Sequence, residues 1–481
     1  MSNSLTRRRL LQVASALTAQ AAVGCTPAEG EGGGRRVIVL GAGLAGLSAA
    51  YELDKEGYEV TVLEGQLRVG GRVLTSRAPY EDGHAAELGA VRIADVHERV
   101  LAYVAELGLE LEAWQGGDSL YFIDGQRFMH EEGAPWPVAG LTPYEAEHGL
   151  DLWSEYIAGA FDEFGDPRDG SFPKAGVIDR YDPVVYTDFL RGRGASEAWL
   201  RLYESDNGSE ISTIGALAWM AAEVADKAWD QTFHIKGGND RLPEALAAAL
   251  GAEKVWLGAK AVKIEHDAAG ATVTFERDGA TETLRGDHVV VAIPFPPLRK
   301  VTISPPFPED KTRAIQELFM MNAGRGYIQT KRRFWQDEGI GGLKIAKTDT
   351  AVERVWDLSP FMPGEKGLIC TYTQNHKADA YCDLPVEARQ AYTIDAVKAF
   401  FPEIEGELVA FEHYCWREDP WAGGAWTDIL PGQWWIVAVT RRAEGRVHFA
   451  GEHTSAWAGW MQGAIESGQR AAAEIMSDQA G

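Results

Sequence analysis

The most constraining feature of this sequence is the pattern of residues 37–72. A short β-branched run, 37–40, is followed by a glycine-rich turn. A helical segment, Leu44 to Glu56, begins inside that turn, and a second strand, 59–63, comes after it. Two short apolar runs separated by an amphipathic helix predict a β-α-β unit with parallel strands. The chain should therefore contain an α/β domain built on a parallel sheet.

Three glycines and one acid give this unit a chemical role. Gly41, Gly43 and Gly46 have G-x-G-x-x-G spacing, and Glu64 ends the second strand. The first glycine permits a tight turn, the second lets the backbone approach a pyrophosphate, and the third lets helix and strand pack closely. The helix N-terminus offers free N–H groups to phosphates. The carboxylate of Glu64 can accept ribose hydroxyls. The unit predicts a dinucleotide cofactor.

The residues after this unit select the cofactor. Arg68, Gly70, Gly71 and Arg72 form R-x-G-G-R. This run resembles the motif that follows the dinucleotide unit in the amine oxidase group of FAD enzymes, which includes monoamine, polyamine and L-amino acid oxidases. The resemblance implies a glycine loop beside the diphosphate with arginine supplying positive charge. It favours FAD over NAD.

Length, composition and charge limit the number of domains and the classes of partner that this chain can have. It has 481 residues, enough for two to four domains, and 45% of them are hydrophobic. The formal net charge of −25 disfavours nucleic acid and anionic membrane surfaces as partners. Sixteen tryptophans suggest aromatic-lined pockets. The oligomeric state is left open, with a homodimer as one expectation.

The N-terminus resembles an export signal. Residues 1–25 contain three consecutive arginines and no acid, in a pattern similar to a twin-arginine signal. The chain could be cleaved at Ala21 or lipidated at Cys25, and 26–34 reads as a flexible linker. We expect a periplasmic or secreted protein. No later segment is long and apolar enough to predict a membrane span.

Cysteine and histidine usage argues against a metal site. Beyond the signal, Cys370, Cys382 and Cys415 remain, without C-x-x-C spacing. A structural zinc site or a disulfide scaffold is not expected. One disulfide could form in an exported protein, and the sequence does not place it. None of the eleven histidines has metal-ligand spacing.

Over residues 35–478 the chain resembles a flavin amine oxidase, most like the L-amino acid oxidase branch. The second specific motif is C-terminal, H-F-A-G-E-H-T-S followed by G-W-M-x-G-A-I-E-S-G. The resemblance implies an α/β fold: a Rossmann-type, glutathione-reductase-like FAD domain with an interleaved α+β substrate domain that carries a helical insertion. The FAD domain would comprise 35–95, 232–300 and 443–478, and the substrate domain 96–231 and 301–442.

Further elements follow from periodicity. Ala261 to Glu265 and Thr272 to Phe275 alternate as a hairpin. Helices are predicted over 96–109, 242–250, 385–400 and 461–476.

The resemblance also assigns cofactor contacts. Val262 matches a position whose backbone meets the adenine, and Glu452 and Met461 match contacts near the ribityl chain and ring. The full predicted set is Gly41, Gly43, Leu44, Ala45, Gly46, Glu64, Gly65, Arg68, Gly71, Arg72, Gly89, Ala90, Val91, Arg92, Val262, Gly451, Glu452, Gly459, Trp460, Met461 and Ala464.

Substrate contacts come from the same resemblance. Arg92 lies where amino acid oxidases of this family hold an arginine, and guanidinium pairs with carboxylate through two parallel hydrogen bonds. Tyr372 matches a second donor to that carboxylate. The Gly459 carbonyl matches an acceptor for the amine. Trp460 and Trp426 match two aromatic walls, which would favour aromatic or large apolar side chains.

Two positions depart from relatives. Ala425 occupies the place where some monoamine oxidases attach FAD through cysteine, so FAD should be non-covalent. Arg325 stands where the family usually has a lysine that holds a water beside the flavin. Arginine keeps the charge but does not lose its proton. The physiological electron acceptor is therefore left open.

The resulting expectation is FAD-dependent oxidation of an L-amino acid to a 2-oxo acid, ammonia and hydrogen peroxide, with dioxygen as acceptor. Three alternatives stay open. One is an amine oxidase whose substrate has no carboxylate, another is an amino acid 2-monooxygenase, and the third is an FAD-binding module with little turnover.

Overall fold

The computed structural model describes residues 35–167, 171–226 and 229–477. The predicted export signal, its cleavage or lipidation point and the linker lie outside the described residues.

Strands and helices are numbered in chain order. The strands are β1 (Arg36–Leu40), β2 (Glu59–Glu64), β3 (Thr75–Ser76), β4 (Ala86–Glu87), β5 (Ile93–Ala94), β6 (Leu111–Ala113), β7 (Leu120–Ile123), β8 (Gln126–Met129), β9 (Thr232–Ile235), β10 (Val255–Leu257), β11 (Lys260–Asp267), β12 (Gly270–Arg277), β13 (Ala280–Gly286), β14 (His288–Val291), β15 (Thr302–Ser304), β16 (Phe319–Met321), β17 (Ala323–Thr330), β18 (Lys344–Thr348), β19 (Arg354–Asp357), β20 (Gly367–Gln374), β21 (Leu408–Cys415), β22 (Trp426–Asp428) and β23 (Val447–Phe449). The α-helices are α1 (Leu44–Lys55), α2 (Glu98–Glu106), α3 (Pro143–His148), α4 (Trp153–Tyr156), α5 (Phe161–Phe164), α6 (Val177–Tyr181), α7 (Tyr186–Gly192), α8 (Glu197–Asn207), α9 (Ala216–Asp226), α10 (Arg241–Leu250), α11 (Phe295–Leu298), α12 (Glu309–Glu317), α13 (Asn375–Cys382), α14 (Val386–Lys398), α15 (Ile404–Glu407), α16 (Trp435–Arg441) and α17 (Met461–Ser477).

A five-stranded parallel sheet organises the first half of the fold, in the order β10-β2-β1-β14-β23. Its strands come from three separated parts of the chain. The inner strands are β-branched and buried on both faces, as a covered parallel sheet requires. Val39 faces a core shared with α1 and α17, whereas Ile38 faces a second core shared with β11 and β12. The predicted β-α-β unit is present, with α1 ending at Lys55.

An antiparallel sheet, β13-β12-β11 with β15 alongside, covers the other face of the parallel sheet. The predicted hairpin is confirmed. The register of β11 against β12 shifts between Ala261 and Lys263, so Val262 lies in a β-bulge. A bulge turns one residue out of the ladder and bends the strand.

A seven-stranded sheet, β21-β17-β20-β19-β18-β7-β8, forms the second half of the fold. All neighbouring pairs are antiparallel except β18 with β7. Strand β20 is buried along its whole length. Helices α4 to α9 pack around a separate core that includes Tyr186, Phe189 and Trp199, and they form the helical insertion that the resemblance implied.

Packing does not follow the predicted segment boundary at residue 95. Helix α2 packs on α17 in the core of the parallel-sheet half through Val100 and Val104. Strand β6 pairs with β9, next to β5. Both elements fall in the segment expected to belong to the substrate domain. Helix α2 is also shorter than predicted, because it stops before Gly108, which has a φ of 69°.

A disulfide joins Cys382 at the end of α13 to Cys415 at the end of β21, which places the bond that the sequence left open. Cys370 is a buried free thiol. Within residues 35–167, 171–226 and 229–477, every helix is too short or too polar to cross a membrane. The same ranges contain no cluster of His, Cys, Asp and Glu suited to a metal ion.

Candidate active site

A cavity of about 970 Å³ lies between the carboxyl edge of the parallel sheet, one face of the seven-stranded sheet and helices α8 and α9. Ligands of open parallel sheets bind at that edge. The cavity brings together residues predicted from distant parts of the sequence. Those lining it are Gly41, Gly43, Leu44, Ala45, Glu64, Gly65, Gly71, Arg72, Gly89, Ala90, Val91, Arg92, Val262, Arg325, Tyr372, Trp426, Gly451, Glu452, Gly459, Trp460, Met461 and Ala464.

The glycine turn faces the cavity with an open helix end. Gly43 is the N-cap of α1 and provides no side-chain cap. A Cβ added to Gly43 would have one neighbour, the Gly70 carbonyl oxygen at 4.0 Å, so the space beside it is open. A Cβ on Gly46 would lie 1.9 Å from the Gly41 carbonyl oxygen. Gly46 therefore serves the contact between helix and strand, which explains why it does not line the cavity.

Glu64 is held in a fixed orientation at the end of β2. Its carboxylate accepts hydrogen bonds from the backbone N–H groups of Ala42 at 2.7 Å and Gln66 at 2.8 Å. Burial raises the pKa of Glu64, although these two bonds act in the opposite direction. The side chain is thus a preorganised acceptor at the cavity wall.

Arg68 does not reach the cavity, contrary to its predicted place among the cofactor contacts. Its guanidinium donates to the carbonyl oxygens of Val69 at 3.2 Å and Gly71 at 2.9 Å. These bonds brace the glycine loop. The arginine of this motif that lines the cavity is Arg72.

Arg72 ties the N-terminal and C-terminal motifs together. It donates to Glu452 at 2.6 Å and to the Ala425 carbonyl at 3.1 Å. Glu452 also accepts from the backbone N–H of Gly459 at 2.8 Å. Burial alone would raise the pKa of Glu452, but Arg72, His453 and the Gly459 N–H outweigh it and lower the pKa. The carboxylate therefore stays ionised and fixes the loop that contains Gly459.

Arg92 lies on the cavity wall among three indoles. Its guanidinium carbon is 5.3 Å from the ring centroid of Trp229, 5.4 Å from that of Trp356 and 5.3 Å from that of Trp460. Indole faces attract a guanidinium electrostatically and restrict its orientation. The cation is thus positioned for an anionic group in the cavity.

The ring of Tyr372 lies between two arginines. Arg325 is 4.1 Å and Arg354 is 4.8 Å from its centroid. Trp356 packs edge-on against it at 4.7 Å, and Trp426 lies 6.3 Å away. These contacts leave the ring little freedom, so its hydroxyl is presented from a rigid position on β20.

Arg325 is buried, and its guanidinium is hydrogen-bonded to backbone carbonyls. It donates to the carbonyl oxygens of Glu87 at 3.1 Å and Gly89 at 2.9 Å. Both bonds come from one terminal nitrogen, Nη1, while the guanidinium lies over the Tyr372 ring. The residue therefore supports the loop that leads to Arg92, in addition to lining the cavity.

The two predicted aromatic walls have separate surroundings. Trp460 packs against His97 at 4.8 Å and Trp229 at 5.4 Å. Trp426 packs near Tyr372, and a Cβ on Gly459 would lie 3.5 Å from its ring. That distance is ordinary van der Waals contact, so glycine is favoured at 459 by its φ of 78° and not by the space that Trp426 occupies.

Acidic groups also line the cavity, which the prediction of two aromatic walls did not include. These are Asp206, Glu210, Glu223, Asp419 and Asp428. Burial raises the pKa of Glu210 to about 7, even though Arg354 opposes the rise. Burial, with the charges of Glu210 and Glu452, raises the pKa of Asp428 well above its ordinary value.

Sequence reasoning missed several of these residues, although a signal exists for some. Arg354 and Trp356 are two apart on β19, and Trp426 and Asp428 are two apart on β22. Side chains two apart on a strand point to the same face. A charged and an aromatic residue at this spacing could have indicated that one face of each strand lines a polar site. Trp229 gives no such signal.

The chain matches the family described as flavin containing amine oxidoreductase over residues 44–476. It belongs to this family and is a flavin-dependent enzyme that oxidises amines.

Curated relatives carry the name L-amino-acid oxidase. The protein from Pseudechis australis is 28% identical over 458 residues, covering 92% of this chain and 86% of its own. That from Bothrops moojeni is 29% identical over 461 residues, covering 92% and 89%.

Solved structures share the fold. Putrescine oxidase superposes with a TM-score of 0.80 at 23% identity, covering 92% of this chain and 99% of its own. Cyclohexylamine oxidase from Brevibacterium oxydans gives 0.79 at 22%, covering 93% and 100%. The predicted mixed α/β fold is confirmed.

Proposed function

We propose that this chain catalyses FAD-dependent oxidative deamination of an L-amino acid to a 2-oxo acid and ammonia, with dioxygen reduced to hydrogen peroxide. The observation that carries the proposal is the guanidinium of Arg92, held among three indoles at the cavity wall. A simple amine presents no anionic group to this cation. Amino acids present the anionic group that it fits.

The residues present fit FAD. The N-terminus of α1 is uncapped and faces the cavity beside the open space at Gly43, which suits a diphosphate. The fixed carboxylate of Glu64 suits ribose hydroxyls. Val262 lies in the bulge that reaches the cavity, where its backbone could meet an adenine. Segments 35–95, 232–300 and 443–478, together with α2 and β6, would form the Rossmann-type FAD domain.

When bound, FAD supplies the two-electron acceptor for the Cα–H of the substrate. The side chains of this chain then have to bind and orient. Arg92 pairs with the carboxylate, and the hydroxyl of Tyr372 is the second donor. The Gly459 carbonyl accepts a hydrogen bond from the amine, and the Trp426 and Trp460 rings exclude water. Holding the substrate in one pose converts binding energy into rate.

The cofactor should be non-covalent. The alanine at 425 has no nucleophilic atom, and its carbonyl oxygen is used by Arg72. Denaturation should therefore release FAD into the supernatant of a precipitated sample. Flavin that stays with the pellet would contradict this.

Arg325 bears on reoxidation. Because it cannot lose its proton and is bonded to two carbonyls, it cannot act as a lysine would. We expect slower reaction with dioxygen than with an artificial acceptor. Comparing stopped-flow reoxidation by dioxygen with that by a quinone tests this.

Export by the twin-arginine route to the periplasm or outside the cell remains part of the proposal. The disulfide between Cys382 and Cys415 supports it, because disulfides persist in oxidising compartments. Fractionation of cells that express the full chain, with mass measurement of the mature N-terminus, tests cleavage at Ala21 against lipidation at Cys25.

Anaerobic titration tests the main proposal. The FAD-loaded enzyme is mixed with single L-amino acids, D-amino acids and amines, and bleaching of the flavin is recorded. L-amino acids should reduce it, and D-amino acids should not. Faster reduction by amines would favour the carboxylate-free alternative. An amide product under oxygen would identify a 2-monooxygenase, and no bleaching by any compound would leave the binding-module alternative.

A further inference from the structure

Two carboxyl groups, Glu210 and Asp428, line the same cavity as Arg92. Glu210 lies in a short 3-10 turn, 209–212, and Asp428 ends β22. Both are buried, with exposures of 9% and 5%. We call them the carboxyl pair.

One oxygen of each acid has no hydrogen-bond partner among the residues that the structure describes: Oε2 of Glu210 and Oδ2 of Asp428. Glu223, which lines the same cavity, is different. It accepts from the Tyr203 hydroxyl at 2.7 Å and from the indoles of Trp153 at 3.0 Å and Trp219 at 2.8 Å. A buried polar atom without a partner is costly, and both residues line the cavity, so a donor ligand bound beside them would offset that cost.

Two other cavity acids already have partners. Asp419 accepts from the Tyr414 hydroxyl at 2.7 Å and from the Trp421 N–H at 2.8 Å. Asp206 pairs with Lys344 at 2.8 Å and Lys347 at 3.1 Å. The carboxyl pair has no comparable ion pair within the described part of the chain. Arg354 interacts with Glu210, but its guanidinium donates to the carbonyl of Asn207 at 2.8 Å and to Gln374.

The surroundings of the carboxyl pair make a cation favourable. The charged groups that act on Asp428 are Glu210 and Glu452, both acidic. Those that act on Glu210 are Arg354 and Glu353, of opposite sign. Ionising both acids in this environment is costly unless a positive charge enters.

The geometry points to a basic L-amino acid as the substrate, with the ammonium or guanidinium of its side chain bound by Glu210 and Asp428. This inference rests on the proposed function, in which Arg92 binds the carboxylate. A series of aromatic contacts connects Arg92 with the carboxyl pair. Arg92 contacts Trp356, Trp356 contacts Tyr372, and Tyr372 contacts Trp426. Trp426 in turn neighbours both acids.

An aromatic path between two charged ends suits a methylene chain. Long basic side chains place their methylenes along apolar surface and their charged end in a polar site. Trp426 and Trp460, which the sequence analysis matched to an aromatic or large apolar substrate, would then contact the methylene chain of the basic substrate. The competing explanation is structural, namely that the two acids share a proton and hold β22 against the turn 209–212.

Four substrates of one chain length separate these ideas with the FAD-loaded enzyme. L-lysine has both the carboxylate and the terminal ammonium, L-norleucine lacks the ammonium, cadaverine lacks the carboxylate, and pentylamine lacks both. The measurement is kcat/KM from anaerobic flavin reduction. We expect lysine to exceed norleucine by roughly ten- to a hundredfold, the value of one buried charged contact.

Two variants test whether Glu210 and Asp428 cause the preference for lysine over norleucine. Glu210→Gln and Asp428→Asn keep the size and one acceptor oxygen but remove the charge, and each should lower the lysine-to-norleucine ratio by about tenfold or more. Glu223→Gln is the matched control, because this acid lines the cavity with its bonds satisfied, and it should leave the ratio unchanged. If one charge variant does not fold, the other and the wild-type ratio still decide.

Each outcome has one meaning. Equal turnover of norleucine and lysine by the wild type overturns the basic-substrate inference and leaves the proposed function intact. An unchanged ratio in both folded charge variants also overturns it and supports the shared-proton explanation. If cadaverine equals lysine and pentylamine equals norleucine, the carboxylate is not recognised and the proposed function fails. In that case a high cadaverine-to-pentylamine ratio still supports the carboxyl pair.

Discussion

Replacing Arg92 by methionine is the sharpest test of how the cavity recognises its substrate. Methionine fills the space among Trp229, Trp356 and Trp460 with an unbranched apolar chain but removes the guanidinium. The change leaves the glycine turn and Glu64 untouched. We therefore expect weaker binding of amino acids with FAD retained.

The magnitude follows from the bonds that are lost. Removing one partner of a desolvated, hydrogen-bonded charge pair costs about 2–4 kcal/mol. At about 1.36 kcal/mol per factor of ten, the apparent dissociation constant of an L-amino acid should rise roughly 30- to 900-fold. Arg92→Lys should fall between, because lysine keeps the charge but not the planar fork.

The assay is anaerobic flavin reduction at increasing L-norleucine and, separately, increasing pentylamine, which has no carboxylate. Only the norleucine constant should move. Arg77→Met is the matched control, because Arg77 is an arginine paired with Asp240 outside the cavity lining. If the Arg92→Met variant binds norleucine as tightly as the wild type while retaining FAD, the carboxylate clamp is refuted.

Three further predictions concern folding. Gly46→Ala should destabilise the fold by about 3 kcal/mol or more and lower soluble yield, because its Cβ would meet the Gly41 carbonyl oxygen at 1.9 Å; a wild-type melting midpoint would contradict this. A Cys382→Ser, Cys415→Ser double variant opens a loop of 33 residues and should lose about 3–4 kcal/mol, seen as a lower thermal midpoint, and an unchanged midpoint in reductant-treated wild type would count against it. Glu210→Gln should gain stability relative to wild type as the pH rises from 4.5 to about 7. The pKa of Glu210 is raised in the folded state, so the stability that this group contributes is present at low pH and lost as the pH rises through the folded-state pKa. The same difference in melting midpoint between variant and wild type at pH 5 and at pH 8 would refute this prediction.

The parts of the site that the sequence predicted are those set by short-range geometry. A turn with an open helix end needs glycine at particular positions, so Gly43 and Gly46 are visible in the sequence itself. Their separate roles, open space at one and close packing at the other, are local properties of one strand–turn–helix unit. Resemblance to the family then predicted that Arg92 and Tyr372 contact the substrate.

The structure differs from what the sequence suggested where tertiary contacts decide the position of a side chain or helix. Arg68 is four residues from Glu64 in the sequence, but its side chain turns back onto the Val69 and Gly71 carbonyls and misses the cavity. Helix α2 was expected in the substrate domain, yet it buries Val100 against α17 because the C-terminal helix offers an apolar face there.

The sequence by itself determined the family, the flavin chemistry and the β-α-β unit, because those depend on residues within one turn of each other and on two specific motifs. Only the tertiary structure decided which charges share the cavity. Glu210 and Asp428 lie far apart in the chain, and neither has a motif around it. Their meeting depends on how the helical region packs against β22, and the cost of burying two acids together appears only when the chain is folded.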